Sequence, residues 1–170
     1  MKVTDELNHL LMLNEPDKKI GGLGIVRFNA FCSGNSNDVL RKCKEVLEAF
    51  LRGSGDKWPS DDCWLTILPQ WFIQQCSEEL SLEEQEKWLV WWRGLSPEEQ
   101  SQLNKEEQWS LSEWLYWLHP ENRQWFWWEA TSEDPDILRI AVEVNEWPFP
   151  WGSLDWLLRA SGAISVKAEE

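Results

Sequence analysis

The chain contains no run of eighteen apolar residues, no C-x-x-C pair, two histidines and few basic side chains, and each shortage removes a class of protein. A membrane-spanning helix needs about eighteen or more consecutive apolar residues, so none is expected. Sixteen Lys and Arg against thirty Asp and Glu leave a formal charge of −14 and a pI near 4.5. A field of that sign repels phosphate backbones and anionic lipid surfaces, which argues against direct nucleic-acid or membrane binding. The opening residues Met1 to Glu6 carry acids early and no apolar stretch, so no secretory signal is expected.

Cys32, Cys43, Cys63 and Cys76 are even in number, yet without export features they read as reduced thiols of a cytoplasmic protein rather than a disulfide framework. With only His9 and His119 to complete a ligand set, no metal is predicted, and nothing in the chain implies a cofactor. Cys32 and His119 lack any nucleophile–base spacing and read as a buried thiol and an unrelated histidine. Gly21-Gly22-Leu23-Gly24 precedes a strand instead of following one and has no phosphate-binding lysine, so it is not a nucleotide loop. No catalytic residue is assigned.

What remains is an ordinary globular composition, 42% apolar and 27% charged, over 170 residues that fit one domain. Leu7, Leu10 and Leu11 at helical spacing predict a helix over residues 4–13, stopping near Asn14 ahead of a loop punctuated by Pro16 and the glycines. A strand follows over 25–32, then an amphipathic helix over 38–52 with its cap in the Ser33–Asn37 turn. A residue preceding proline avoids the helical region, which favours a short strand over 64–68 and a helix opening at Pro69.

Three S-x-x-E repeats, at Ser81/Glu84, Ser96/Glu99 and Ser110/Glu113, read as capping boxes starting three helices. The period then changes to two over 124–131 and 137–145, a strand pair joined by a four-residue loop at 133–136. Ser153 caps a last helix over 154–160 that Gly162 terminates, and 163–166 is a strand or a tail. The expectation is an α+β domain over 1–170: a small, mainly antiparallel sheet with helices on one face and a Trp/Glu-rich helical insertion at 77–119.

Twelve of the fifteen tryptophans fall between Trp58 and Trp128, and most must form core. Neighbouring positions on a helix lie about 100° apart, so Trp91 and Trp92 cannot both face one stripe, nor can Tyr116 and Trp117 join the Leu111, Trp114, Leu115, Leu118 stripe. Some rings are left at the surface. From Glu78 to Glu113 the net charge is −7, half of the chain's total, which suits either a solvated helical face or a docking surface for a basic partner.

Together these features favour a non-enzymatic interaction module that binds a protein partner, a basic one best using the charge, through Trp88, Trp91 and Trp117. An acidic inhibitor or immunity-type protein is the specific form of that reading. The alternative is a small-molecule binder or hydrolase with a cleft formed by Trp128, Arg139, Glu143 and Asn145 on the hairpin sheet. In the expected register, with Ser132 opposite Ile137, Glu129 falls on the apolar side, a conflict the alternation alone leaves open.

Overall fold

Branched and aromatic residues at alternate positions build four strands, and 3.6-residue periodicity builds the helices packed against them. The computed structural model describes residues 1–12, 21–55 and 57–169; the helix stop near Asn14 and the Pro16 loop position lie outside these. In chain order the elements are α1 (Val3–Leu11), β1 (Gly24–Phe31), α2 (Ser36–Gly53), α3 (Asp61–Ile67), α4 (Gln70–Gln75) and α5 (Leu82–Arg93). They continue with α6 (Pro97–Glu106), α7 (Leu111–Leu118), β2 (Trp125–Asp134), β3 (Ile137–Val144), α8 (Gly152–Ala160) and β4 (Ser165–Ala168).

The strands form one antiparallel sheet in the order β2-β3-β1-β4. One face carries Phe28, Ala30, Leu138, Ile140, Val142, Val144, Trp125 and Trp127, all buried. Against it pack Val39, Cys43, Val46, Leu47 and Phe50 from α2 and Leu154, Leu157 and Leu158 from α8, so the molecule is the expected α+β arrangement with helices on one face. The C-terminal segment is a strand: β4 pairs with β1 through Ala30 opposite Val166.

Three sequence expectations change. Residues 64–68 are helical, because Trp64 N–H donates to the Ser60 carbonyl and Leu68 N–H to the Trp64 carbonyl, and Trp64 is thereby buried beside Phe50. The pre-proline restriction acts on Leu68 alone, which has extended dihedrals as the C-cap of α3. The hairpin loop shortens to Pro135-Asp136, with Asp134 already opposite Ile137 and its carboxylate accepting from Asp136 N–H at 2.9 Å. Ser153 does not cap α8 but lies in its first turn, where its hydroxyl accepts from Trp125 Nε1 at 2.9 Å and its carbonyl from Trp114 Nε1 at 3.0 Å.

The conflict at Glu129 is resolved by a β-bulge. Trp125 opposite Val144 and Trp127 opposite Val142 keep the expected register, then one residue slips and Glu129 comes opposite Ala141 on the outer face. Trp128 is the extra residue; its ring lies 4.1 Å from that of His9, and its carbonyl is 3.1 Å from His9 Nδ1.

β2 is an edge strand, and a free edge exposes backbone donors that invite pairing with other chains. Here Glu6 of α1 takes one of these donors by accepting from Trp127 N–H at 2.8 Å. The same carboxylate takes both terminal nitrogens of Arg123, at 2.9 and 2.5 Å, with the two side chains only 1% and 6% exposed. The guanidinium lies 4.9 to 5.3 Å from the Phe50, Trp125 and Phe126 rings. Removing one member of such a pair strands a buried charge, so Glu6→Ala is expected to cost about 3–5 kcal/mol in urea unfolding. Glu6→Leu combined with Arg123→Met is expected to recover more than half of that loss, and additive losses would show that the pair is not the buried unit described.

Candidate interaction site

The helical insertion leaves and rejoins the body at one place. Ser77 and Ser110 form a parallel bridge, and Ser77 N–H donates to the Trp109 carbonyl at 3.0 Å. Between these points α5 and α6 are started by complete capping boxes: Ser81 and Ser96 hydroxyls accept from Glu84 and Glu99 N–H, and those carboxylates accept the serine amides at 2.8 Å. The Gln100 side chain ties the two helices by donating to the Trp92 carbonyl at 2.9 Å.

No residue of α5 is buried, whereas α7 buries Leu111, Trp114, Leu115 and Leu118. The predicted insertion therefore divides: α7 joins the core, and α5 with α6 forms a projecting arm. Away from the cleft side Leu82 is 80%, Val90 72% and Trp91 52% exposed; Leu82 and Trp91, nine positions apart, flank Val90 on opposite sides of the helix, apolar surface that the body does not use.

Beneath the arm lies a cleft of about 910 Å³. Its aromatic lining is Trp88, Trp92, Trp109 and Tyr116, with the Trp88 and Trp92 rings stacked at 6.1 Å and 21°. The benzo edge of Trp109 abuts Gly152 at the start of α8, where a Cβ would come within 2.6 Å of the indole; only glycine admits the ring. The acidic lining is Glu78, Glu79, Glu107, Glu113 and Asp155.

Local chemistry explains why Glu113 is free to face the cleft. Its S-x-x-E repeat forms only half a box: Ser110 Oγ accepts from Glu113 N–H at 3.2 Å, the Glu113 carboxylate does not accept the Ser110 amide, and Glu79, from the root of the arm, meets a further donor of the first turn. Glu79 accepts from Ser112 N–H at 3.0 Å and from the Ser112 hydroxyl. The expected third capping box is thus corrected, and the Glu113 carboxylate has no hydrogen bond or ion pair with a described residue.

Burial pushes the Glu113 carboxyl above the usual range, and the nearby Glu107 and Glu79 charges push it further. Glu107 is also raised by burial, against the opposing pull of Arg159, and so is Asp155, which Arg159 binds. Arg159 is fully used: its Nε donates to Asp155 at 2.8 Å and its two terminal nitrogens to the Glu107 carbonyl at 3.1 and 3.2 Å.

Of the residues singled out in the sequence, Trp88 lines this cleft and Trp91 stands on the outer side of the same helix. Trp117 is half-buried on α7, with its ring edge-on to Tyr116 at 5.4 Å. The hairpin set is not gathered into one cleft. Glu143 is buried, and its carboxylate accepts the Gly21 amide at 2.6 Å and the Gly22 amide as well. Trp128 is turned to His9 by the bulge, while Arg139 and Asn145 are exposed.

The sequence reading missed Trp92, Trp109, Glu79 and Glu113 as a group. The signal for them was the third S-x-x-E combined with a second acid, Glu79, a few residues before the first repeat. Comparison of the chain with protein-family models, curated proteins and solved structures returns no match.

A carboxyl whose folded-state pKa is raised contributes stability that is complete below its unfolded pKa and lost as pH rises through the folded value. Glu113→Gln removes that loss, so its Tm is expected to exceed that of the parent chain by about 1 °C at pH 7. The difference should vanish below about pH 4, where a carboxyl is neutral in both states. A variant less stable than the parent at pH 7 in a thermal scan would contradict the placement of Glu113.

Proposed function

We propose that the protein is a non-enzymatic interaction module that binds a basic protein partner through the α5–α6 arm. The observation that carries this reading is the α5 face itself. Leu82, Val90 and Trp91 are exposed on a helix that buries nothing, within a segment of net charge −7. A tryptophan set among acids is the composition of an interface anchor, and the acids steer and orient a cationic partner. An acidic inhibitor or immunity-type protein covering the site of a basic enzyme is the specific form this takes, in a cytoplasm that keeps its cysteines as thiols. Trp88, on the cleft side of the same helix, and Trp117, on α7, are the further anchors of this reading.

The small-molecule alternative on the hairpin sheet has less support. Glu143 already neutralises two backbone amides, and Trp128 lies against α1, so the groups such chemistry would use are committed to the fold.

The test is affinity capture from a native lysate, followed by a binding measurement with the purified partner. Trp91→Ala should weaken the complex about thirtyfold while changing stability by less than about 0.5 kcal/mol. Association should slow as salt rises. A complex insensitive to both Trp91→Ala and salt, or recovery of chaperones alone, would remove the arm from recognition.

A further inference from the structure

The cleft beneath the arm has a more specific chemistry than the outer α5 face. We infer that it receives an arginine side chain of the partner, its guanidinium paired with Glu113 and lying along the Trp88 and Trp92 indoles. This deepens the docking role of the arm and rests on it.

The charge argument comes first. Glu113 does not accept the Ser110 amide as a full capping box would require, so its carboxylate, at the cleft lining, is without a partner among the described residues. Arg159, which pairs with Asp155 of the lining, is already engaged by Asp155 and the Glu107 carbonyl. Burial disfavours the charged forms of Glu113 and Glu107, and for Glu113 the neighbouring Glu107 and Glu79 charges add to it; an entering cation favours the charged forms again.

Shape selects the kind of cation. The aromatic walls are the stacked Trp88 and Trp92 rings, with Trp109 and Tyr116 completing the lining. A planar, weakly hydrated guanidinium stacks on such rings and binds a carboxylate through two nitrogens, whereas a lysine ammonium is a compact, strongly hydrated charge. The volume of about 910 Å³ accepts a side chain together with some of its backbone.

The chain solves the same chemical problem twice with its own arginines. Arg123 joins the Glu6 carboxylate beside Phe50, Trp125 and Phe126, and Arg159 joins Asp155 with its guanidinium 5.3 Å from the Trp156 ring. The third setting, with carboxylates and indoles but no arginine of its own, differs in opening outward.

Indole N–H signals of the fifteen tryptophans provide the readout, assigned by single Trp→Phe variants and followed by NMR. The probe is acetyl-Gly-Arg-Gly-amide, compared with its lysine and citrulline counterparts. The arginine peptide should shift Trp88, Trp92 and Trp109, the lysine peptide should bind more weakly, and the uncharged citrulline peptide should leave them in place. Glu113→Gln should weaken arginine binding about tenfold, as expected for losing one charge-assisted contact. Glu83→Gln, an exposed acid already paired with Lys87, should leave binding unchanged.

Equal binding of arginine and citrulline, shifts confined to other indoles, or equal effects of Glu83→Gln and Glu113→Gln would each overturn the inference. A partner complex that depends on Trp91 while the arginine peptide fails would remove the guanidinium pocket and leave the outer docking face standing. An arginine response with no Trp91-dependent complex would do the reverse.

Discussion

The Glu6 carboxylate holds more of this molecule together than any other single group. It binds Arg123 at both oxygens and the Trp127 amide at the sheet edge, so it joins α1, the segment before β2, and β2 itself. A buried carboxylate tolerates that position only because a full guanidinium and a backbone donor meet it, and the rings around Arg123 exclude water from the pair. At Trp127 the edge donor is thus already taken. Next to it, Ser153 accepts both the Trp114 and Trp125 indoles, so two of the largest core side chains have their only donor satisfied. The body is thereby completed without help from α5 or α6.

That completeness gives the arm its meaning. Most tryptophan in the body is packed into it: Trp64, Trp114, Trp125, Trp127 and Trp156 are all but enclosed, with Trp147 exposed on the loop after β3. In the arm the same residue type lines a cleft or faces solvent, and its helices hold their shape by capping and by short-range pairs such as Glu83 with Lys87. Local interactions of this kind stabilise each helix by about 0.5–2 kcal/mol per cap without requiring burial. Apolar surface is therefore kept on the arm without being consumed by folding, within the Glu78–Glu113 stretch that carries half of the net charge.

Much of this was legible in the residues, for reasons that can be named. Period-two alternation placed Trp125, Trp127, Ile140, Val142 and Val144 on one face correctly, since a pleat leaves no other choice. The angular argument separated Trp91 from Trp92, and Trp91 is the exposed one. The misses are long-range. Glu143 looked like a site residue because a strand acid beside aromatics is unusual; its partners, the Gly21 and Gly22 amides, are more than a hundred positions away. Gly22 is required there, as a Cβ would fall 2.4 Å from the Val144 carbonyl oxygen, but its sequence neighbours do not reveal that contact. Likewise three identical S-x-x-E repeats gave two complete boxes and one half box, at a helix start that Glu79 reaches from 33 positions upstream of Ser112. The strand assigned to 64–68 failed by extending to four residues a restriction that proline places on one.

The central claim is that the arm serves recognition and the body stands without it. Replacing residues 80–107 by a short glycine–serine link tests this directly, since Ser77 and the Trp109 carbonyl are already joined at 3.0 Å and Glu79 is retained for Ser112. Urea unfolding of the shortened chain should remain a single cooperative transition within about 1 kcal/mol of the parent. A fall of several kcal/mol, or the loss of a cooperative transition, would mean that α5 and α6 are part of what folds the protein.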